Sequence, residues 1–182
     1  MSELVDVVHE HDQIIATVTR AEMRRANLRH RGVAVIVLHG DGRLLIHRRA
    51  DTKDVWPGRW DLAAGGVVAA GEDYDEAARR ELAEELGIAA DLEVLGTSDY
   101  SDADVSVVAH VYLARHDGPV TFADGEVAEA RWVDWLELAG LLATQAWCPD
   151  SISLALPLLL GPVGLLGSVG LAGLAGGTSP SP

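Results

Sequence analysis

One cysteine, Cys148, occurs in 182 residues, which excludes an intrachain disulfide and fits a reducing compartment. Beside Pro149 it reads as structural and not nucleophilic. An apolar leader is also lacking, because Glu3 and Asp6 interrupt any signal-peptide core, so the cytoplasm is the expected compartment. Positive charge is scarce: 14 Lys and Arg face 28 Asp and Glu, for a net charge of −14. That excess argues against a nucleic-acid partner. The scarcity is uneven, since past Arg80 only Arg115 and Arg131 remain. An anionic ligand therefore finds its counter-charges in the first third, where Arg48, Arg49, Lys53 and Arg59 come closest to the segment described next. What is present, 48% hydrophobic and 23% charged residues, is enough for one domain with a proper core.

Acidic residues concentrate in Gly65 to Ile88, GGVVAAGEDYDEAARRELAEELGI, which reads as a glycine turn, an acidic turn and a helix ending at Gly87. Glu81, Glu84 and Glu85 stand at i, i+3 and i+4, so their carboxylates share one face. Ala78, Leu82 and Leu86 form the adjoining apolar stripe, which packs onto a sheet. Arg80 is placed to hold a carboxylate one turn away on either side, Glu76 or Glu84. Like charges at these spacings cost roughly 0.2–0.5 kcal/mol per pair. Carboxylates in the last turn cost roughly 0.3–1 kcal/mol each against the helix dipole. A folded domain absorbs such a sum, so spacing alone admits both a solvated acidic face and a site for hard divalent cations.

The same stretch resembles the signature of the Nudix hydrolases, G-x5-E-x7-R-E-U-x-E-E-x-G-U, with U a bulky apolar residue. Gly66, Glu72, Arg80, Glu81, Leu82, Glu84, Glu85, Gly87 and Ile88 meet it without departure. The resemblance implies an α+β fold, a mixed β-sheet in an α/β/α sandwich, over a domain of residues 1–160. It implies hydrolysis of a nucleoside diphosphate, or another small-molecule diphosphate, linked to a further moiety, with Mg²⁺ or Mn²⁺ as cofactor. Glu81, Glu84 and Glu85 become the metal ligands, joined by the backbone of Gly66. Arg80 and Glu72 orient them, and the general base is Glu81 or Glu126. Arg48, Arg49, Lys53 and Arg59 are the candidate contacts to the substrate diphosphate. Ala103 to Ser106 contains neither the proline nor the tyrosine that marks two of the family's substrate subgroups, so the substrate stays open. No oligomeric state is implied.

Two other readings stand beside this one. ATVTRAEM, RLLIHRR and WPGRWDL are similar to isopentenyl diphosphate isomerase, which shares the Nudix fold. In register, however, its catalytic cysteine falls on Gly65 and a neighbouring metal histidine on Val67, leaving only His30 in place. Glycine has no proton to give, so isomerase activity is not expected. A domain that binds a nucleotide-like ligand without cleaving it is the remaining alternative, against which the intact signature argues.

Around the signature, Leu4 to Val8 and Ile14 to Val18 read as a hairpin. Thr19 and Glu22 cap a short helix over Arg20 to Leu28. Val33 to Leu38 and Arg43 to His47 are strands joined by a turn, followed by an irregular segment with Trp56 and Trp60 flanking Pro57-Gly58. Trp56 and Trp60 could clamp a ligand or seal the core edge, the latter expected of Trp60. Later strands are expected over Leu92 to Thr97, Val105 to Ala114, Val120 to Phe122 and Glu126 to Val133, with an acidic turn at Ser98 to Asp102. Asp134 caps a helix from Trp135 to Ala143, and Ile152 to Leu160 closes the fold as a helix despite Pro157. Residues 161–182 repeat glycine every third position without collagen's proline, and lack a membrane span's basic and aromatic anchors. They are expected to be a disordered low-complexity tail and not a membrane segment.

Overall fold

The computed structural model describes residues 3–123 and 125–161. The tail expected over residues 161–182 lies, apart from Gly161, outside them. Among the described residues no helix is long and apolar enough to cross a membrane.

The β-branched run ending at Leu38 forms the central strand, β3 (His30–Leu38). Earlier in the chain come β1 (Leu4–Val8), β2 (Ile14–Thr19) and the helix α1 (Arg20–Ala26). Strands β4 (Leu44–Arg49), β5 (Trp60–Asp61) and β6 (Ala64–Val67) follow, and then α2 (Tyr74–Leu86). Next are β7 (Leu92–Ser101), β8 (Ser106–Arg115) and β9 (Val127–Val133), and last α3 (Trp135–Thr144) and α4 (Pro149–Leu160). The sheet is mixed. β3 runs parallel to β8, from His30 opposite Val107 to Leu38 opposite Arg115, and antiparallel to β1, β4 and β6.

Successive residues of a strand face opposite sides, so β3 supplies two cores. Val33, Val35 and Val37 pack with Ala77, Ala78, Leu82 and Leu86 of α2. Ala34, Ile36 and Leu38 pack with Leu138 of α3 and Leu154, Ala155 and Leu159 of α4. Helices therefore cover both faces, the expected α/β/α sandwich. Trp60 is buried in the second cluster, with Trp147 tilted against it at 6.4 Å.

Four local expectations are corrected. Gly65-Gly66 is not a turn but the middle of β6, where two residues without side chains let the strand fit beneath a helix. The polar run Ser98 to Ser101 continues β7, because pairing with β8 needs only its backbone; the turn comes at Asp102, whose carboxylate accepts from the Asp104 and Val105 amides. Val120 to Phe122 pairs with nothing as a strand among the described residues. Helix α1 stops at Ala26, where Asn27 takes the left-handed conformation (φ 46°) and caps it.

Candidate active site on the carboxylate face of α2

Helix α2 is fixed at both ends. Asp73 accepts from the Glu76 amide while the Glu76 carboxylate accepts from the Asp73 amide, a capping box, and Gly87 closes the other end at φ 65°. Between them Arg80 gathers the acidic residues. Its Nε and NH2 reach the two oxygens of Glu72 at 2.8 and 2.9 Å, a bidentate pair. Its NH1 reaches Glu81 at 2.6 Å and Glu84 at 3.2 Å, and NH2 donates to the Val67 carbonyl at 3.2 Å. Of the two carboxylates offered by helix spacing, Arg80 takes Glu84; Glu76 is kept by the cap. Glu72 is anchored again by the Ala69 amide at 3.0 Å, and the Arg80 pair holds its carboxyl below the usual range. Neighbouring Arg79 is exposed and reaches only back to the Asp75 carbonyl, at 3.2 Å.

Strand β6 lies directly under this face. Glu85 accepts from the Gly65 amide at 3.0 Å. Gly66 lies so close to Glu81 that a Cβ there would stand 2.4 Å from its Oε1. A Cβ on Gly65 would come 2.1 Å from the Val33 carbonyl oxygen instead. The two glycines thus give separable outcomes. Gly65→Ala forces the central strand's backbone, and its melting temperature should fall by the equivalent of about 1–3 kcal/mol of overpacking. Gly66→Ala presses only on a side-chain end, so the fold should survive while Glu81 is displaced and turnover drops. An unchanged turnover in Gly66→Ala, read against its melting curve, would remove Gly66 from the site.

Glu81 and Glu85 are 8% and 1% exposed. Burial, opposed by Arg80 at Glu81 and by Lys53 at Glu85, pushes each carboxyl up to about 7. Burying the Glu81 and Glu85 carboxylates favours a cation beside them. Glu72, Glu81, Glu84 and Glu85 outnumber Arg80 and Lys53, which reach them as hydrogen-bonding cations. Hard carboxylate oxygens on one helix face, beside an open strand backbone, suit Mg²⁺ or Mn²⁺. Among the described residues no three acidic, histidine or cysteine side chains are already drawn together as an ion-binding cluster. Arg80 draws Glu81 and Glu84 to itself, and the Lys53 ammonium stands 3.5 Å from Glu85 and in contact with Glu126. The donor set fits a divalent ion once those ion pairs give way.

The face opens into a cavity of about 410 Å³. Arg49, Lys53, Gly66, Glu81, Glu84 and Glu126 line it, together with Arg20 and Arg24 of α1 and Asp61 and Asp150 on the far side. Arg48 and Arg59 do not. Arg48 turns away to pair with Glu129 at 2.8 Å, and Arg59 donates to the Trp147 carbonyl at 3.1 Å while stacking on Trp56. Adjacent residues of β4 face opposite sides, so only one of Arg48 and Arg49 can enter the cavity. Arg20 and Arg24 were missed as site residues; their i,i+4 spacing on one helix face is the signal that could have found them.

Comparison with known proteins gives the same outline. The family model described as NUDIX domain matches residues 28–154. The chain is 38% identical over 152 residues to the uncharacterized Nudix hydrolase YfcD of Escherichia coli K12, covering 83% of each. It is 39% identical over 155 residues to the uncharacterized Nudix hydrolase SCO1686 of Streptomyces coelicolor, covering 83% of this chain and 85% of that one. Among solved structures, DR0079 of Deinococcus radiodurans superposes with a TM-score of 0.71 at 30% identity, over 81% of this chain and 94% of that one.

Proposed function

Because the chain belongs to the Nudix hydrolase family, we propose that this pyrophosphohydrolase cleaves the diphosphate linkage of a nucleoside diphosphate derivative or a similar small molecule. We place Mg²⁺ or Mn²⁺ on Glu81, Glu84 and Glu85, with the Gly66 carbonyl beside them. The observation that carries the reading is the acidic face of α2, with Glu81 and Glu84 held by Arg80 and Glu85 by the Gly65 amide, beside a cavity that Arg49 and Lys53 also line. A divalent ion there would supply charge neutralisation for the phosphoryl oxygens and activation of water.

The chain's own groups do the rest. Arg80 holds Glu81 and Glu84 at the cavity; those two bonds loosen when the carboxylates turn to an ion, while its bidentate grip on Glu72 stays. Arg49 and Lys53 face the substrate's charge from the sheet side. Two carboxylates that line the cavity are able to take the proton of the attacking water, Glu81 and Glu126. Arg80 orients the first and Lys53 the second. Cysteine chemistry at Gly65 is sterically closed, since β3's backbone fills the place of its Cβ.

A hydrolysis screen over nucleotide sugars, dinucleotide polyphosphates, coenzyme A, nucleoside triphosphates and isoprenoid diphosphates tests the reading. Turnover should need Mg²⁺ or Mn²⁺ and stop with chelator. On the substrate found, Arg49→Ala should raise KM more than it lowers kcat, while Arg48→Ala stays near wild type. Equal KM for all three proteins would remove Arg49 from the binding wall. Thermal stabilisation by these compounds with no product released would favour a binding module over an enzyme.

A further inference from the structure

Lys53 is placed unlike an ordinary lysine. Its side chain is only 9% exposed, although it leaves an irregular loop from which an ammonium could easily stay in water. Its Nζ stands 3.5 Å from Glu85 Oε1 and in contact with the Glu126 carboxylate. Glu85 comes from α2, and Glu126 immediately precedes β9. One ammonium therefore joins three separate parts of the chain, directly over the face assigned to the ion.

The loop between β4 and β5 leans on that junction. Its ends are anchored through the backbone: the Arg49 amide donates to the Arg59 carbonyl at 2.9 Å, and the Ala50 amide to the Glu126 carbonyl at 2.8 Å. Between those ends the Lys53 amide donates to Ala50 and the Arg59 amide to Trp56, both within the loop. Side-chain contacts reach outward. Besides Lys53 they are the Asp54 carboxylate on Arg24 at 3.5 Å and the Val55 carbonyl on Arg49 Nε at 3.2 Å. Of these, the Lys53 contact is the one that ends on a carboxylate placed as a metal ligand. A divalent ion and an ammonium cannot both crowd onto Glu85, because their repulsion is strong at such a distance in a poorly solvated place. Lysine is suited to give way, being a point charge on a flexible stem.

Resting on the metal-dependent hydrolase reading, we propose that Lys53 is a built-in stand-in for the ion, neutralising Glu85 and Glu126 until an ion binds and then letting the loop of residues 51–58 go. The freed ammonium is the same one that faces the diphosphate, so ion loading precedes productive substrate binding. One side chain thereby serves two partners in turn.

Hydrogen exchange on the full chain tests this with the ion alone as probe. Saturating Mg²⁺ or Mn²⁺ should make the Lys53 and Arg59 amides exchange about tenfold faster than in chelator, the factor that one lost charge-assisted hydrogen bond allows. The Gly65 amide beneath α2 should not speed up. Lys53→Met keeps the stem and removes the charge. Its loop should exchange at the fast rate already in chelator and ignore added ion, and calorimetry should show the ion bound about tenfold more tightly than by wild type. Wild-type loop exchange that is unchanged or slowed by the ion would overturn the proposal. So would an acceleration that survives in Lys53→Met, or equal ion affinity in the two proteins. Such failures leave the metal assignment intact where calorimetry shows an ion bound by wild type and lost in Glu85→Gln. An ion that binds neither of those proteins, or both alike, would remove the assignment and the proposal together.

Discussion

Glu85→Gln is expected to abolish the stabilisation by Mg²⁺ or Mn²⁺ and to cut diphosphate hydrolysis at least about a hundredfold, several kcal/mol of barrier being at stake. It should do so without weakening the metal-free protein. The amide keeps the shape and can still accept from the Gly65 amide, while one buried negative charge disappears. In the wild type an ion at a hundredfold excess over its Kd adds about 2.7 kcal/mol to stability. The pH dependence carries the same sign. Burial raises the folded carboxyls of Glu81 and Glu85 from 4.5 to about 7. Groups raised on folding contribute stability that is whole below the unfolded value and lost as pH climbs through the folded one. Metal-free protein should therefore lose melting temperature between about pH 4.5 and about 7, and Glu85→Gln should lose less. Differential scanning in chelator and in excess Mg²⁺ reads both effects. A fully active Glu85→Gln would defeat the site assignment.

Arg80→Ala should lose most turnover, about ten- to a hundredfold, as expected of a group that orients metal ligands. Arg79→Ala should stay near wild type. The two side chains are neighbours in sequence, yet one ties Glu72, Glu81, Glu84 and the Val67 carbonyl together and the other lies in solvent. Arg80→Ala leaves Glu72 and Glu81 unbridged in a half-buried place, so some stability goes as well. Arg80→Lys separates the two losses: a point charge restores part of the balance but cannot reproduce the bidentate grip on Glu72. Matching losses in Arg79→Ala and Arg80→Ala, with both folded by circular dichroism, would count against the role given to Arg80.

Helix α2 was legible because period, the Gly87 cap and acidic spacing all agree over one short stretch. Gly87 and the Glu81–Glu84–Glu85 face have local causes, and local causes are what a sequence displays; the Asp73 capping box emerged with the structure. Strand β6 was not, because glycine usually marks a turn; what makes Gly65 and Gly66 a strand is the helix above them and β3 beside them. The end of β7 was hidden likewise, since Ser98 to Ser101 are polar and their pairing comes from β8. Arg48 and Arg49 could have been told apart by strand alternation, but which of them enters the cavity needed the sheet's two faces. Arg24 and Trp56 meet in the cavity wall from distant parts of the chain, and no local pattern announces it.

The close seating of α2 on the two glycines has a consequence for motion. Glu85 rests on the Gly65 amide of the central sheet, so exposing it means parting the layers on which the whole domain depends. Hydrogen exchange at Gly65 should then approach the slow limit set by global unfolding. The loop carrying Lys53 and Trp56 is held to the body by side chains, Lys53 to Glu85 and Asp54 to Arg24, not by a strand ladder, and should exchange through cheaper local openings. Two tiers of protection within one cavity leave the carboxylate side stiff and give the loop side room to adapt.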